Sequence, residues 1–299
     1  MHGGMAASPE RGPRGNRSHP EHLIDSTTKH FPLGKSAGQS WWPPHPGERL
    51  RTELLSRLLL SSLRQSDLRG KLAFKGGTAL KLCYFADCRF SEDLDITLLK
   101  PTPFEDLRLG LEPVFACLRE ASGIEFTFDR EDRYSHTNSH TRYLRYIGPL
   151  PAGGSVKVDI TIREQLEFPR EARPVLRAYE EFADLPDGRV VQAYPLSEIA
   201  TEKVVAVGDR ARNEPRDLYD LWHLISCKGM DLSHMAPAII AKLAFRKMEA
   251  SGIQEAIMKK EARLRARWSA RLANQMSELP PFDQVFCEFR RALRQPDLP

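Results

Sequence analysis

Residues 72–98, LAFKGGTALKLCYFADCRFSEDLDITL, constrain the fold more tightly than any other part of this chain. LAF reads as a short apolar strand, KGG as a glycine turn, and the residues from about Thr78 as a helix. In FSEDLDITLLK, Leu94, Ile96 and Leu98 alternate with Asp93, Asp95 and Thr97, the two-residue period of a strand with one wet face. A strand, a glycine turn, a helix and an acidic strand in that order require a sheet, and they set the turn beside the carboxylates.

Side chains two apart in a strand point the same way, so Asp93 and Asp95 present carboxylates about 7 Å apart on one face. Hard divalent cations such as Mg²⁺ or Mn²⁺ prefer oxygen ligands and share such a pair with substrate phosphates. Asp159 in VKVDIT alternates with Val156, Val158 and Ile160, and is the expected third carboxylate, on a neighbouring strand. Backbone N–H groups at Gly76 and Gly77 can approach phosphate, the helix start favours negative charge, and Thr78 adds a hydroxyl. Lys75 is open to a phosphate contact or a surface role. An isolated D-x-D is usually a solvated strand face, and it is the glycine turn upstream that argues for chemistry here. No G-x-x-x-x-G-K-[ST] or G-x-G-x-x-G element is present, which disfavours P-loop and dinucleotide-binding folds.

The rest of the chain fits a mixed α/β, or α+β, protein. Leu50, Leu54 and Leu58 recur at helical spacing in a packing helix, and Phe104–Ala121 reads as another, with Leu107, Leu111, Phe115 and Leu118 on one side. IEFTFDR, RYLRYIG and SVKVDITIR are expected strands, the last two joined by a PLPAGG turn. From Ser197 the pattern is helical, including one long stretch from about Met235 to Leu272 and a last helix near Phe282–Leu293. The expected organisation is a flexible tail over 1–45, a catalytic domain over 46–195 and a helical domain over 196–299.

Composition excludes several classes. No apolar run approaches the roughly 20 residues of a membrane helix, and the start carries no apolar core of a secretory signal. The five cysteines form no C-x-x-C pair, as expected of reduced thiols in a cytoplasmic protein. His136 and His140 lack a third ligand for metal. With 44 basic and 40 acidic residues the net charge is only +4, so nucleic-acid binding has to rest on local charge. KKEARLRARWSAR concentrates it: Lys259, Lys260, Arg263, Arg265, Arg267 and Arg271 can lie along a phosphate backbone, with Trp268 free to stack on a base. The same segment also reads as a solvated helix with Trp268 packed inward.

FKGGTALKLCYFADCRFSEDLDIT and LSEIATEKVVAVGDRARNEPRDLYDLWHL together resemble the AbiEii/AbiGii family of nucleotidyltransferase toxins, from the helix before Leu72 to Leu224. The resemblance implies a DNA polymerase β-like catalytic domain. It implies metal and NTP triphosphate at Asp93 and Asp95, a phosphate contact at Ser91, and triphosphate neutralisation by Lys203. Asp217, or else Asp220, would complete the site, and Arg216 would touch phosphate or acceptor. Arg210, Arg212 and Arg216 independently bring charge to that segment, although Asp217 also reads as a helix cap or an intrahelical partner of Arg216. Relatives of this kind add nucleotides to tRNA 3′ ends as the toxin half of a toxin–antitoxin pair, which implies NTP, tRNA and an antitoxin as partners. Transfer to a protein or small-molecule hydroxyl keeps the same site with another acceptor. A non-catalytic RNA- or partner-binding module would keep only the fold.

Overall fold

The computed structural model describes residues 48–63, 66–132, 138–148, 153–178 and 189–294. The expected tail over 1–45, His136, and residues 149–152 of the expected hairpin turn lie outside the described residues, as does the side chain of Leu50. The described residues belong to one compact unit.

Chain order is α1 (Glu48–Leu63), β1 (Leu72–Phe74), α2 (Gly76–Ala79, extended by a π-turn over Leu80–Tyr84), β2 (Leu94–Leu98), α3 (Phe104–Ser122), β3 (Glu125–Glu131), β4 (Ser139–Ile147) and β5 (Gly154–Thr161). Two short strands, β6 (Glu171–Pro174) and β7 (Val190–Ala193), precede the helices α4 (Leu196–Gly208), α5 (Pro215–Trp222), α6 (Ala236–Phe245), α7 (Ile253–Met258), α8 (Glu261–Leu272) and α9 (Phe282–Leu293). This is a mixed α/β fold, as expected.

Among the described residues the sheet order is β3-β4-β5-β2-β1-β7-β6. The pairs β2–β5 and β1–β7 are parallel and the others antiparallel. The parallel β2–β5 pairing sets Asp95 beside Asp159. Along β5, Val156, Val158 and Ile160 are buried while Ser155, Lys157, Asp159 and Thr161 face the other way. One face of these central strands is therefore core, and the other carries Lys157 and Asp159.

The core is continuous from sheet to helices. α3 contributes Leu107, Val114, Phe115 and Leu118 and ends at Gly123, whose φ of 69° supplies a left-handed cap. α1 buries Leu54 and Leu58 together with Glu53 and Arg57, which pair at 3.2 Å. α5 packs against α4, α8 and α9, so the acidic helix is clamped on three sides.

The long helical stretch expected from about Met235 to Leu272 is three helices, and Lys247 and Gly252, with φ of 57° and 78°, interrupt it between α6 and α7. β6 and β7 were not anticipated. Each has four residues, and β6 ends in Pro174 at the sheet edge, where a missing N–H is tolerated.

Candidate active site

Gly76 has a φ of 63°, and a Cβ there would lie 2.8 Å from Asp95 Oδ2. Only glycine lets the turn press so closely on this carboxylate. A Cβ at Gly77 would meet Arg89 Nη2 at 2.7 Å and Ser91 Oγ at 3.4 Å. The Lys75 N–H donates to Asp95 O at 3.1 Å, tying the turn to β2. Thr78 is buried; its hydroxyl donates to Asp93 O and lies 3.1 Å from Ser91 Oγ. It thus fixes the Ser91–Asp93 segment instead of facing a ligand. Lys75 is drawn to Glu164 and Glu202, 3.8 and 3.7 Å away, and not to the cleft.

On the open face, Asp95 and Asp159 are lateral neighbours. The Thr141 hydroxyl of β4 donates to Asp159 Oδ1 at 2.5 Å. Lys157 Nζ donates to Asp159 Oδ2 at 2.6 Å and approaches Asp93 Oδ2 at 3.4 Å. Burial raises the Asp95 carboxyl from 3.8 to about 6; Asp159 and Asp93 add to the rise, and Lys75 and Lys203 oppose it.

The helices bring cations and their partners. Lys203 of α4 is buried and donates to Asp217 Oδ1 at 2.8 Å, with Asp220 Oδ2 at 2.7 Å. Burial alone would lower its pKa, but the two carboxylates raise it, so it stays a cation. Burial would likewise raise Asp217, but Lys203 and Arg212 hold it far below the usual carboxylate range. Arg212 Nε reaches Asp217 Oδ2 at 2.5 Å. Arg89 grips Asp220 with two bonds of 2.6 and 2.7 Å, and its other nitrogen donates to Phe90 O and Gln275 Oε1, both at 2.9 Å. Arg89, Asp220, Lys203, Asp217 and Arg212 form a chain of alternating charge running from beneath the Ser91 segment to the cleft.

A cavity of about 340 Å³ opens between these elements. Its lining includes Gly77, Ser91, Asp93, Asp95, Asp159, Lys203, Arg216, Asp217 and Arg267, all anticipated from the sequence. Arg212, expected to bring charge to this segment, lines it too, as do Arg89, Lys157, Asn213 and Glu214, for which no site role is expected. Lys157 carried a legible signal, two residues before Asp159 in the same alternation. Arg89 and Arg212 sit in irregular segments where no periodicity tells which way a side chain points.

The basic segment divides. Arg267 lines the cavity and donates to Asn213 O at 2.9 Å, and Arg271 pairs with Glu214 at 2.7 Å. Lys259 and Arg263 are exposed and outside the cavity lining. Lys260 corrects the expectation: it is buried, and its ammonium donates to the carbonyls of Val207, Asp209 and Arg212. It joins α8 to the end of α4 and cannot serve an acceptor. Trp268 is also buried, its indole donating to Pro280 O at 3.0 Å, so it offers no stacking face.

Among the described residues no three His, Cys, Asp or Glu side chains form a ready cluster for a metal ion. The carboxylates of Asp93, Asp95 and Asp159 nevertheless line one cavity, and their oxygens are of the kind a hard cation prefers.

The profile of a family described as nucleotidyl transferase AbiEii toxin, type IV toxin–antitoxin system, matches residues 57–288. Among solved structures, MenT4, a nucleotidyltransferase toxin from Mycobacterium tuberculosis H37Rv, aligns with a TM-score of 0.50 at 19% sequence identity, covering 82% of each chain. At that identity the likeness is one of fold. No curated protein matches the sequence.

Proposed function

This chain belongs to the AbiEii family of nucleotidyl transferase toxins of type IV toxin–antitoxin systems, and from that premise we propose that it moves the NMP of an NTP onto the 3′ end of tRNA, using divalent metal held by Asp93, Asp95 and Asp159. The carrying observation is the single cavity in which the acidic strand, the glycine turn and Lys203 with Asp217 meet. Nucleotidyl transfer is the activity of the family; the acceptor, the metal and the role of each residue are the proposal.

In this reading the backbone at Gly76 and Gly77, with Ser91, Lys203 and Arg216, receives the triphosphate. Lys203 is kept charged by Asp217 and Asp220, so its ammonium is positioned before the substrate arrives. Metal, when bound, supplies Lewis-acid stabilisation of the attacking and leaving oxygens. The acceptor hydroxyl attacks the α-phosphate in line, its proton passing to Asp159 or to water, and pyrophosphate leaves. Asp159 is held for that task by Thr141. Arg267 at the cleft mouth, with exposed Arg263 and Lys259 farther out on the same basic segment, supports a polyanionic acceptor. The two functional halves are proposed to be 46–195, carrying the carboxylates, and 196–299, completing the cleft and meeting the acceptor. Among the described residues no helix is long and apolar enough to cross a membrane, and the substrates proposed are those of a cytoplasmic enzyme whose partner is the cognate antitoxin.

The acceptor is tested by incubating the protein with each α-labelled NTP, Mg²⁺ and total tRNA, intact or with its 3′-terminal diol oxidised by periodate. Label on intact tRNA and none on oxidised tRNA is expected. Label that is indifferent to oxidation, or that goes to protein or a small molecule, would replace tRNA 3′ ends as the acceptor.

A further inference from the structure

The cations of the cleft differ in what holds them. Lys203 is held by Asp217 and Asp220, Arg89 by Asp220 and Arg212 by Asp217, all on α5. Lys157 alone among these four turns to the sheet carboxylates. Its Nζ donates to Asp159 Oδ2 at 2.6 Å and lies 3.4 Å from Asp93 Oδ2. The remaining oxygen of Asp159 accepts from Thr141. Asp95, by contrast, makes no ion pair among the described residues.

The Asp159 side of the carboxylate group therefore already has a close counter-ion built from the chain. A lysine suits this place: its charge is compact, and a flexible four-carbon stem lets the head move while the strand stays fixed. The side chain is one-third exposed, so it has solvent to move into.

Building on the reading that Asp93 and Asp95 hold divalent metal, we propose that Lys157 is a resident cation of the site, which holds the Asp159 side of the carboxylate group and competes with divalent metal for Asp159 and the shared oxygen of Asp93. Metal uptake on that side is an exchange: the ion gains the carboxylate oxygens and the ammonium gives them up. The displaced ammonium stays in the cleft, which Lys157 lines.

The test uses Mn²⁺ alone, without nucleotide, on the full chain, with binding followed by titration calorimetry and by loss of the free-Mn²⁺ electron paramagnetic resonance signal. Lys157→Met keeps the stem and removes the charge, and it is expected to bind Mn²⁺ about tenfold more tightly than the parent. Lys157→Arg keeps the charge and is expected to bind no more tightly than the parent. Circular dichroism establishes that both variants are folded. Equal Mn²⁺ affinity in the parent and Lys157→Met overturns the inference while leaving the metal reading intact. No Mn²⁺ binding by either protein removes the metal reading of Asp93 and Asp95, and the inference with it.

Discussion

Replacing Asp220 with Asn should unfold this protein more readily than replacing Asp217, although the two carboxylates are three residues apart on one helix. Asp220 is fully buried and accepts two bonds from Arg89, which is itself buried, and one from Lys203. An amide there leaves a buried guanidinium with no carboxylate, facing only neutral acceptors, the amide's own Oδ1 with Phe90 O and Gln275 Oε1, while the new NH2 is set against one of its N–H groups. Breaking a buried ion pair in this way costs about 3–5 kcal/mol, and at roughly 3 °C per kcal/mol the melting temperature should fall by about 10 °C. Asp217 has a softer surrounding. Its partner Lys203 retains Asp220, and its partner Arg212 is 53% exposed and rehydrates. Asp217→Asn should therefore cost only about 1–2 kcal/mol. The order reverses for chemistry, because Asp217 lines the cavity and Asp220 does not. Per folded molecule, nucleotide transfer should drop about 100-fold in Asp217→Asn, the size expected on losing a preorganised electrostatic contact. Urea unfolding followed by circular dichroism gives the first quantity, and labelled transfer below the melting transition gives the second. If Asp220→Asn unfolds within 1 kcal/mol of the parent, or Asp217→Asn is the less stable of the two, the division of labour along α5 is refuted.

Two further outcomes follow from the geometry. The Asp95 carboxyl titrates at about 6 in the fold against an ordinary 3.8, so ionising it costs folding free energy that develops between those values and persists above pH 6. Metal-free Asp95→Asn should match the parent near pH 4 and exceed it by on the order of 2 kcal/mol near pH 8, as read by calorimetric melts; a variant no more stable than the parent at pH 8 contradicts this. Gly76→Ala forces a side chain into a φ of 63° and to 2.8 Å from Asp95 Oδ2, so it should lose about 1–2 kcal/mol of stability and most transfer activity, and a variant with parental turnover would dissociate the turn from the site.

How much of this could be read beforehand depended on whether a residue's neighbours are local. The alternation predicts one face for Asp93 and Asp95; both line the cavity, although β2 begins only at Leu94, and α9 runs from Phe282 to Leu293, the bounds expected from spacing. The facing of Asp159 was legible too, but its position beside Asp95 comes from a parallel pairing across a long stretch of chain, which no local pattern encodes. β6 and β7 are too short to show a period. The basic segment misled because charge outweighed spacing: Lys260, Leu264, Trp268 and Leu272 fall four apart and form the buried stripe of α8 with its lead-in residue. Weighing that stripe against the arginines between its members would have put Trp268 inside and left Arg263 and Arg267 outside. Arg89 was out of reach, since its partner Asp220 lies on a helix that reaches it only through the tertiary fold.

The central claim is that one cleft binds an NTP through Asp93 and Asp95 and breaks the bond between its α- and β-phosphates. The most direct measurement compares label transfer to RNA from α-labelled and γ-labelled NTP, for the parent and for Asp93→Ala. The account predicts transfer of the α-label alone by the parent, with γ-label released as pyrophosphate, and no transfer by the variant. Transfer of the γ-label, or α-label transfer that survives in Asp93→Ala, would contradict it.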